Sequence, residues 1–181
     1  MKRALKDLRG ALADYDEAIR LSPGHALALN GRGLTRSSAG DNTGAIADYD
    51  RAIEIRPDDP AIWKNRSLAR QRAGDLPGAL LDVEMAISLG GPKAIFLGGR
   101  ADVLRLQKDF AGALRDYDKA IELGLRNAPA FNVRGLVKFA LGDMTGALAD
   151  FDSAIATNPT SAQLAAIVSN RNAVLKKSGK F

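Results

Sequence analysis

Cysteine is absent from the sequence, and histidine occurs once, as His25. The first absence excludes disulfides, thiolate metal sites and cysteine nucleophiles. The second excludes a zinc site built from two or more imidazoles of one chain. No window approaches about 18 consecutive apolar residues, so no membrane span is expected. The start, MKRALKDLRG, carries positive charge but lacks the apolar run of a signal peptide. A cytoplasmic location is expected, or a periplasmic one where a leader has been removed. Enzyme signatures are missing too. Gly31-Arg32-Gly33 lacks the third glycine and the preceding strand of a dinucleotide-binding turn. Ser178-Gly179-Lys180 lacks the P-loop pattern, and the sequon Asn65-Arg66-Ser67 falls in a predicted helix. His25 sits in a predicted turn with no nucleophile nearby and reads as a surface residue. No catalytic, cofactor-binding or metal-binding residue is assigned, and no enzyme activity is expected.

What is present is a folded composition: 46% of the 181 residues are hydrophobic and 26% are charged. The net charge of +5 invites a nucleic-acid reading. Its distribution argues against one. Residues 1–9 and 169–181 together carry +7, which leaves −2 on residues 10–168. A phosphate-tracking surface needs a basic stripe, and the body of this chain has none.

The dominant signal is repetition. GALADYDEAI at Gly10 returns as GAIADYDRAI at Gly44, GALLDVEMAI at Gly78, GALRDYDKAI at Gly112 and GALADFDSAI at Gly146. Each copy follows the last by 34 residues. Alanine recurs at Ala11, Ala45, Ala79, Ala113 and Ala147, and again at Ala18, Ala52, Ala86, Ala120 and Ala154. Between them stand Tyr15, Tyr49, Val83, Tyr117 and Phe151, and isoleucine closes each copy. These spacings share one helical face. Gly40-Asp41, Gly74-Asp75 and Gly142-Asp143 precede three copies, with Lys6-Asp7 and Lys108-Asp109 as variants. Glycine can end a helix in a left-handed conformation, and aspartate can cap the next one. Pro23, Pro57, Gly90-Gly91-Pro92, Gly124 and Pro159 break the chain after each copy. A second amphipathic segment fills each gap, at 26–39, 60–73, 94–107 and 128–141. Its anchors are Leu29, Trp63, Leu97 and Phe131, each followed four places later by Gly33, Ser67, Ala101 or Gly135. Each period is therefore a hairpin of a first helix and a second helix.

The chain is similar to the tetratricopeptide repeat family over essentially its whole length. The 34-residue period, the Trp/Leu/Phe anchor, the small column, the A-x3-[YF]-x2-A run and the closing proline carry the resemblance. It implies an all-α fold, a right-handed superhelical solenoid of antiparallel helix hairpins, here about ten helices. The single array is read as a half repeat 1–25, full repeats 26–59, 60–93, 94–127 and 128–161, and a terminal helix 162–178. That last helix is offset by 37 rather than 34 residues, with three extra residues near Thr160–Gln163. The family's leucine column is arginine here, at Arg32, Arg66, Arg100 and Arg134. Its tyrosine column holds Arg36, Arg70, Leu104 and Lys138.

Two acidic columns accompany the repeats. Asp14, Asp48, Asp82, Asp116 and Asp150 recur with the arginines and read as a ladder of bracing pairs, because catalysis needs one site rather than five equal ones. Asp16, Asp50, Glu84, Asp118 and Asp152 are expected to face solvent and serve solubility. Glycines Gly98-Gly99 sit inside a predicted helix at a propensity cost, which fits a close approach, a kink or drift.

The resemblance implies that first helices line a concave face, where the copies differ. Helical projection places there Asn30 and Leu34, then Lys64, Asn65, Leu68 and Arg72, then Asp102 and Arg105, then Asn132, Leu136 and Phe139, with Leu27, Ser38, Ile95, Gly98 and Val133 beside them. Its middle is basic and its C-terminal part apolar. The expected partner is a protein or peptide with acidic and apolar parts. Some family members clamp a C-terminal carboxylate. Here Asn65 matches the middle element, but Asn30, Leu34, Ile95 and Gly99 occupy the flanking places and leave that clamp incomplete. The leading expectation is a non-catalytic interaction scaffold without cofactor. The alternatives are self-assembly through uncapped terminal helices, giving a homo-oligomer, and a regulatory segment of a larger enzyme.

Overall fold

The computed structural model describes residues 2–179, with side chains from residue 8. Among them are ten α-helices and no strand. In order they are α1 (Lys2–Leu21), α2 (Ala26–Ser38), α3 (Asn42–Ile55), α4 (Pro60–Ala73), α5 (Leu76–Gly90), α6 (Ala94–Leu106), α7 (Phe110–Glu122), α8 (Ala128–Ala140), α9 (Met144–Ala156) and α10 (Ser161–Lys177). The even-numbered helices are first helices of the hairpins. The odd-numbered ones carry the ten-residue repeat. None of the helices is long and apolar enough to cross a membrane. The chain divides into two compact units, Met1–Pro92 and Lys93–Phe181.

The punctuation works as its chemistry requires. Gly40, Gly74 and Gly142 lie at φ of 92°, 87° and 89°, the left-handed region that closes a helix cheaply only with glycine. Asp41, Asp75, Asp109 and Asp143 each accept a hydrogen bond from the N–H three residues on, at Gly44, Gly78, Gly112 and Gly146. This explains the glycine that opens the repeat. A β-carbon at any of these four positions would run into the capping carboxylate.

Lys108 takes the left-handed turn without being glycine, at φ 66°. The similar pair Lys6-Asp7 does not turn at all, because α1 runs unbroken from Lys2 to Leu21. Packing of α6 on α7 offsets the strain at Lys108. Gly10 is thus an ordinary helix-interior residue with open space around its α-carbon. Gly10→Ala is expected to raise stability by about 0.5–1 kcal/mol through helix propensity. Gly44→Ala, which displaces its cap, should be no better than neutral. Paired thermal melts of the two variants check the contrast.

In the first unit the core gathers Leu29, Ala45, Tyr49, Ala52, Ile53, Ile62 and Ala69, with Ile19 from α1. In the second unit one cluster joins Ala101, Ala113, Tyr117 and Val137. Another joins Ala128, Ala147, Phe151, Ala154, Ile167 and Val174. The small column fits its aromatic neighbours. A β-carbon on Gly33 would come 2.7 Å from the Tyr49 ring, and one on Gly135 would come 2.9 Å from Phe151. Gly98 is likewise a close approach, since its β-carbon would meet Leu125 Cδ2 at 2.6 Å.

The Arg–Asp ladder is present and is larger than the sequence reading had it. Arg32, Arg66, Arg100 and Arg134 each fork onto both oxygens of Asp48, Asp82, Asp116 and Asp150 in their own hairpins. Asp48, Asp82 and Asp150 take a second cation from Arg36, Arg70 and Lys138, the residues in the family's tyrosine column. The outer acids are not simply solubilising. Arg32, Arg66 and Arg134 use Nη1 on Asp16, Asp50 and Asp118 of the preceding second helix, at 2.7–2.8 Å. Arg171 reaches Asp152 as well, but through Nε rather than Nη1. One guanidinium therefore ties two successive hairpins, which a sequence reading confined to one hairpin does not reveal. Asp14 differs from its column and is exposed.

Candidate interaction surface

In the first unit, first helices α2 and α4 touch one another as well as their own second helices, while second helices α3 and α5 make no comparable contact. First helices therefore lie on the inner side of the curve. Asn65 donates its amide to Asn30 Oδ1 at 2.9 Å, and Arg72 Nη1 donates to Ser37 Oγ at 2.8 Å. Asn65 is buried, so it serves as a rung between α2 and α4 rather than as a free groove residue. Leu34 and Leu68 stand in register on these helices and remain 43% and 39% exposed. Lys64 is half-buried, and desolvation holds its ammonium below the usual lysine range. Ser38 and Leu27 are exposed.

The second unit repeats the rung. Asn170 of α10 donates to Asn132 Oδ1 of α8 at 3.0 Å. These residues are 38 apart, whereas Asn30 and Asn65 are 35 apart, which places three extra residues in the loop and first turn of α10. Thr160 and Gln163 form a reciprocal capping box there. Leu136 and Phe139, expected as an apolar groove, are half-buried against the core that α9 and α10 complete. Lys177 Nζ lies 5.0 Å from the Phe139 ring centroid, a cation–π contact. Asp102 and Arg105 sit on α6 near the hydroxyl of Tyr117, which donates to Asp102 Oδ1 at 2.5 Å. Val133 packs into the adjoining core, and Ile95 is exposed.

Burial pushes the Asp102 carboxyl above the usual carboxylate range, more than the Tyr117 hydrogen bond and the Arg105 charge pull it down. A carboxylate with a raised folded pKa binds its proton more tightly folded than unfolded. Its ionisation costs stability above the raised value, and that cost vanishes as pH falls below the unfolded value of about 3.9. Asp102→Asn keeps an oxygen for the Tyr117 hydroxyl and removes the charge. It should be more stable than the parent at about pH 7 and gain nothing at about pH 3, as denaturant titrations at both pH values would show. His25 is exposed, as expected of a surface residue, and it also caps α2: its Nδ1 accepts the Ala28 N–H at 3.2 Å.

The profile of the tetratricopeptide repeat matches residues 2–60, 64–129 and 99–162. The chain belongs to the tetratricopeptide repeat family. No curated protein matches it significantly. Among solved structures, MamA is 20% identical with a TM-score of 0.74, over 90% of this chain and 95% of that one. YrrB, described as a tetratricopeptide repeat protein with an unusual peptide-binding site, is 20% identical with a TM-score of 0.68, over 89% and 83%. The first such domain of RPAP3, solved with an HSP90 peptide, is 25% identical with a TM-score of 0.62, over 65% and 95%. These likenesses carry the all-α fold. Tetratricopeptide arrays generally mediate protein–protein interaction and are typically non-catalytic scaffolds.

Proposed function

We propose that this tetratricopeptide chain is a non-catalytic scaffold that binds an acidic, partly apolar peptide along the first helices. The observation that carries this reading is the inner face of α2 and α4. There Leu34 and Leu68 stay exposed in register between helices locked by the Asn30–Asn65 rung, with Lys64 and Arg72 on the same face. A rigid rung beside exposed leucines gives an apolar side chain a place to bury, and the two cations favour carboxylates near it. The peptide-bound RPAP3 domain and the peptide site named for YrrB support the mode of binding.

The test is a displayed peptide library selected on the wild-type protein, followed by titration of the selected peptides. Lys64→Glu combined with Arg72→Glu should weaken acidic-apolar peptides by more than about tenfold. Leu68→Glu should do the same at unchanged helix content. Peptides that bind all three proteins equally would remove the reading.

A further inference from the structure

We infer that α10 of one copy docks against α1 of another, so that the protein assembles head to tail. This goes beyond peptide binding and involves other faces. The argument begins with four positions that recur in every second helix. Ala45, Asp48, Tyr49 and Ala52 of α3 are all buried against the first helix of their hairpin. Their equivalents in α5, α7 and α9 are buried as well. In α1 the same positions are Ala11, Asp14, Tyr15 and Ala18. Asp14 is exposed there, and the other three are only half-buried. Among the described residues no helix covers this face of α1 as one does in the other copies.

Helix α10 carries the complementary face. It is a first helix, and Val168, Arg171, Asn172 and Leu175 occupy the positions by which α8 meets α9. Val168 is 38% exposed, whereas Leu29 at its equivalent in α2 is fully buried. Arg171 decides the occupant. Each ladder arginine that ties two hairpins holds one acid on the preceding second helix and one on its own second helix. Arg171 already holds the preceding acid, Asp152, through Nε at 2.7 Å. The acid on a following second helix is the one that this guanidinium lacks. Asp14 is an acid of that column, on an exposed second helix, and among the described residues no arginine holds it as one holds its column elsewhere. A second copy's α1 therefore supplies both the apolar face and the opposite charge, in a pattern seen four times within the chain.

Such a contact joins unlike surfaces, so it does not stop at a dimer unless a ring closes. Analytical ultracentrifugation of the intact chain over a broad concentration series should show the mass rising from 19.2 kDa past the dimer. Asp14→Arg and Arg171→Asp should each weaken association by more than about tenfold. Mixed in equal amounts, the two proteins should assemble again. Every joint in an alternating chain pairs opposite charges, while each variant alone opposes like ones. Asn172→Ala restores a small side chain opposite Tyr15 and should tighten association. A mass fixed at 19.2 kDa at all concentrations would overturn the inference. So would an Asp14→Arg protein that associates like wild type. A mixture that stays monomeric while both variants keep their helix content would also overturn it.

Discussion

Arg66→Leu should lower stability by about 3 kcal/mol, read as a lower urea midpoint at unchanged native helix content. Arg66 donates from Nε and Nη2 to the two oxygens of Asp82, at 2.9 and 2.6 Å, and from Nη1 to Asp50 at 2.7 Å. The Asp82 side chain is only 2% exposed. Leucine would leave that carboxylate with Arg70 alone, at 3.0 Å. Severing a buried ion pair typically costs about 3–5 kcal/mol, because the stranded charge has no water to turn to. The surviving Arg70 contact puts the expected loss at the low end. Arg66 also lies 4.8 Å from the Trp63 ring centroid, a contact that leucine keeps only as packing. Arg66→Lys retains charge without the fork and should fall between the two proteins. Asp50→Ala removes a half-exposed partner and should cost under about 1 kcal/mol. Equal midpoints for Arg66→Leu and wild type would show that the ladder braces nothing.

Tyr49→Ala should cost about 3–5 kcal/mol, and Tyr15→Ala about 1 kcal/mol, although the two tyrosines open the same five-residue run, YDxAI. Tyr49 is 1% exposed and closes over Gly33, so its removal leaves a cavity that the helices cannot collapse into. Tyr15 is half-buried and rests against Gly31 with one side uncovered, so alanine there leaves a dent open to water. Equilibrium unfolding at low protein concentration measures both losses on monomeric chains. Similar losses would mean that the uncovered face of α1 is not a real difference between the copies.

Much of this architecture is legible without coordinates. Helix positions follow from the 34-residue period, because a buried stripe at helical spacing and a capping aspartate after a left-handed glycine leave little choice. The fork of Arg32 or Arg134 onto an aspartate sixteen residues on is readable from two columns that recur together. Other features are not readable. The second hand of each arginine reaches the preceding hairpin, and nothing in a single period says how near that hairpin comes. Asn65 looks like a groove residue in projection, yet α2 approaches closely enough for it to bond Asn30. Leu136 and Phe139 look equally free until α10 is seen to lie against them. Lys6-Asp7 resembles Lys108-Asp109, yet the helix runs through the first pair and the chain turns at the second.

The sequence by itself determined the local order of this protein: which segments are helices, where they stop, which face of each is apolar, and that the family is tetratricopeptide. Those properties depend on side-chain spacing and on hydrogen bonds within a few residues. Only the tertiary structure decided which arginines join neighbouring hairpins and which inner-face residues are free to meet a partner. These are set by contacts between residues 16 to 38 positions apart. Whether such a contact forms depends on how closely two helices pack, which nearly identical copies of a sequence do not show.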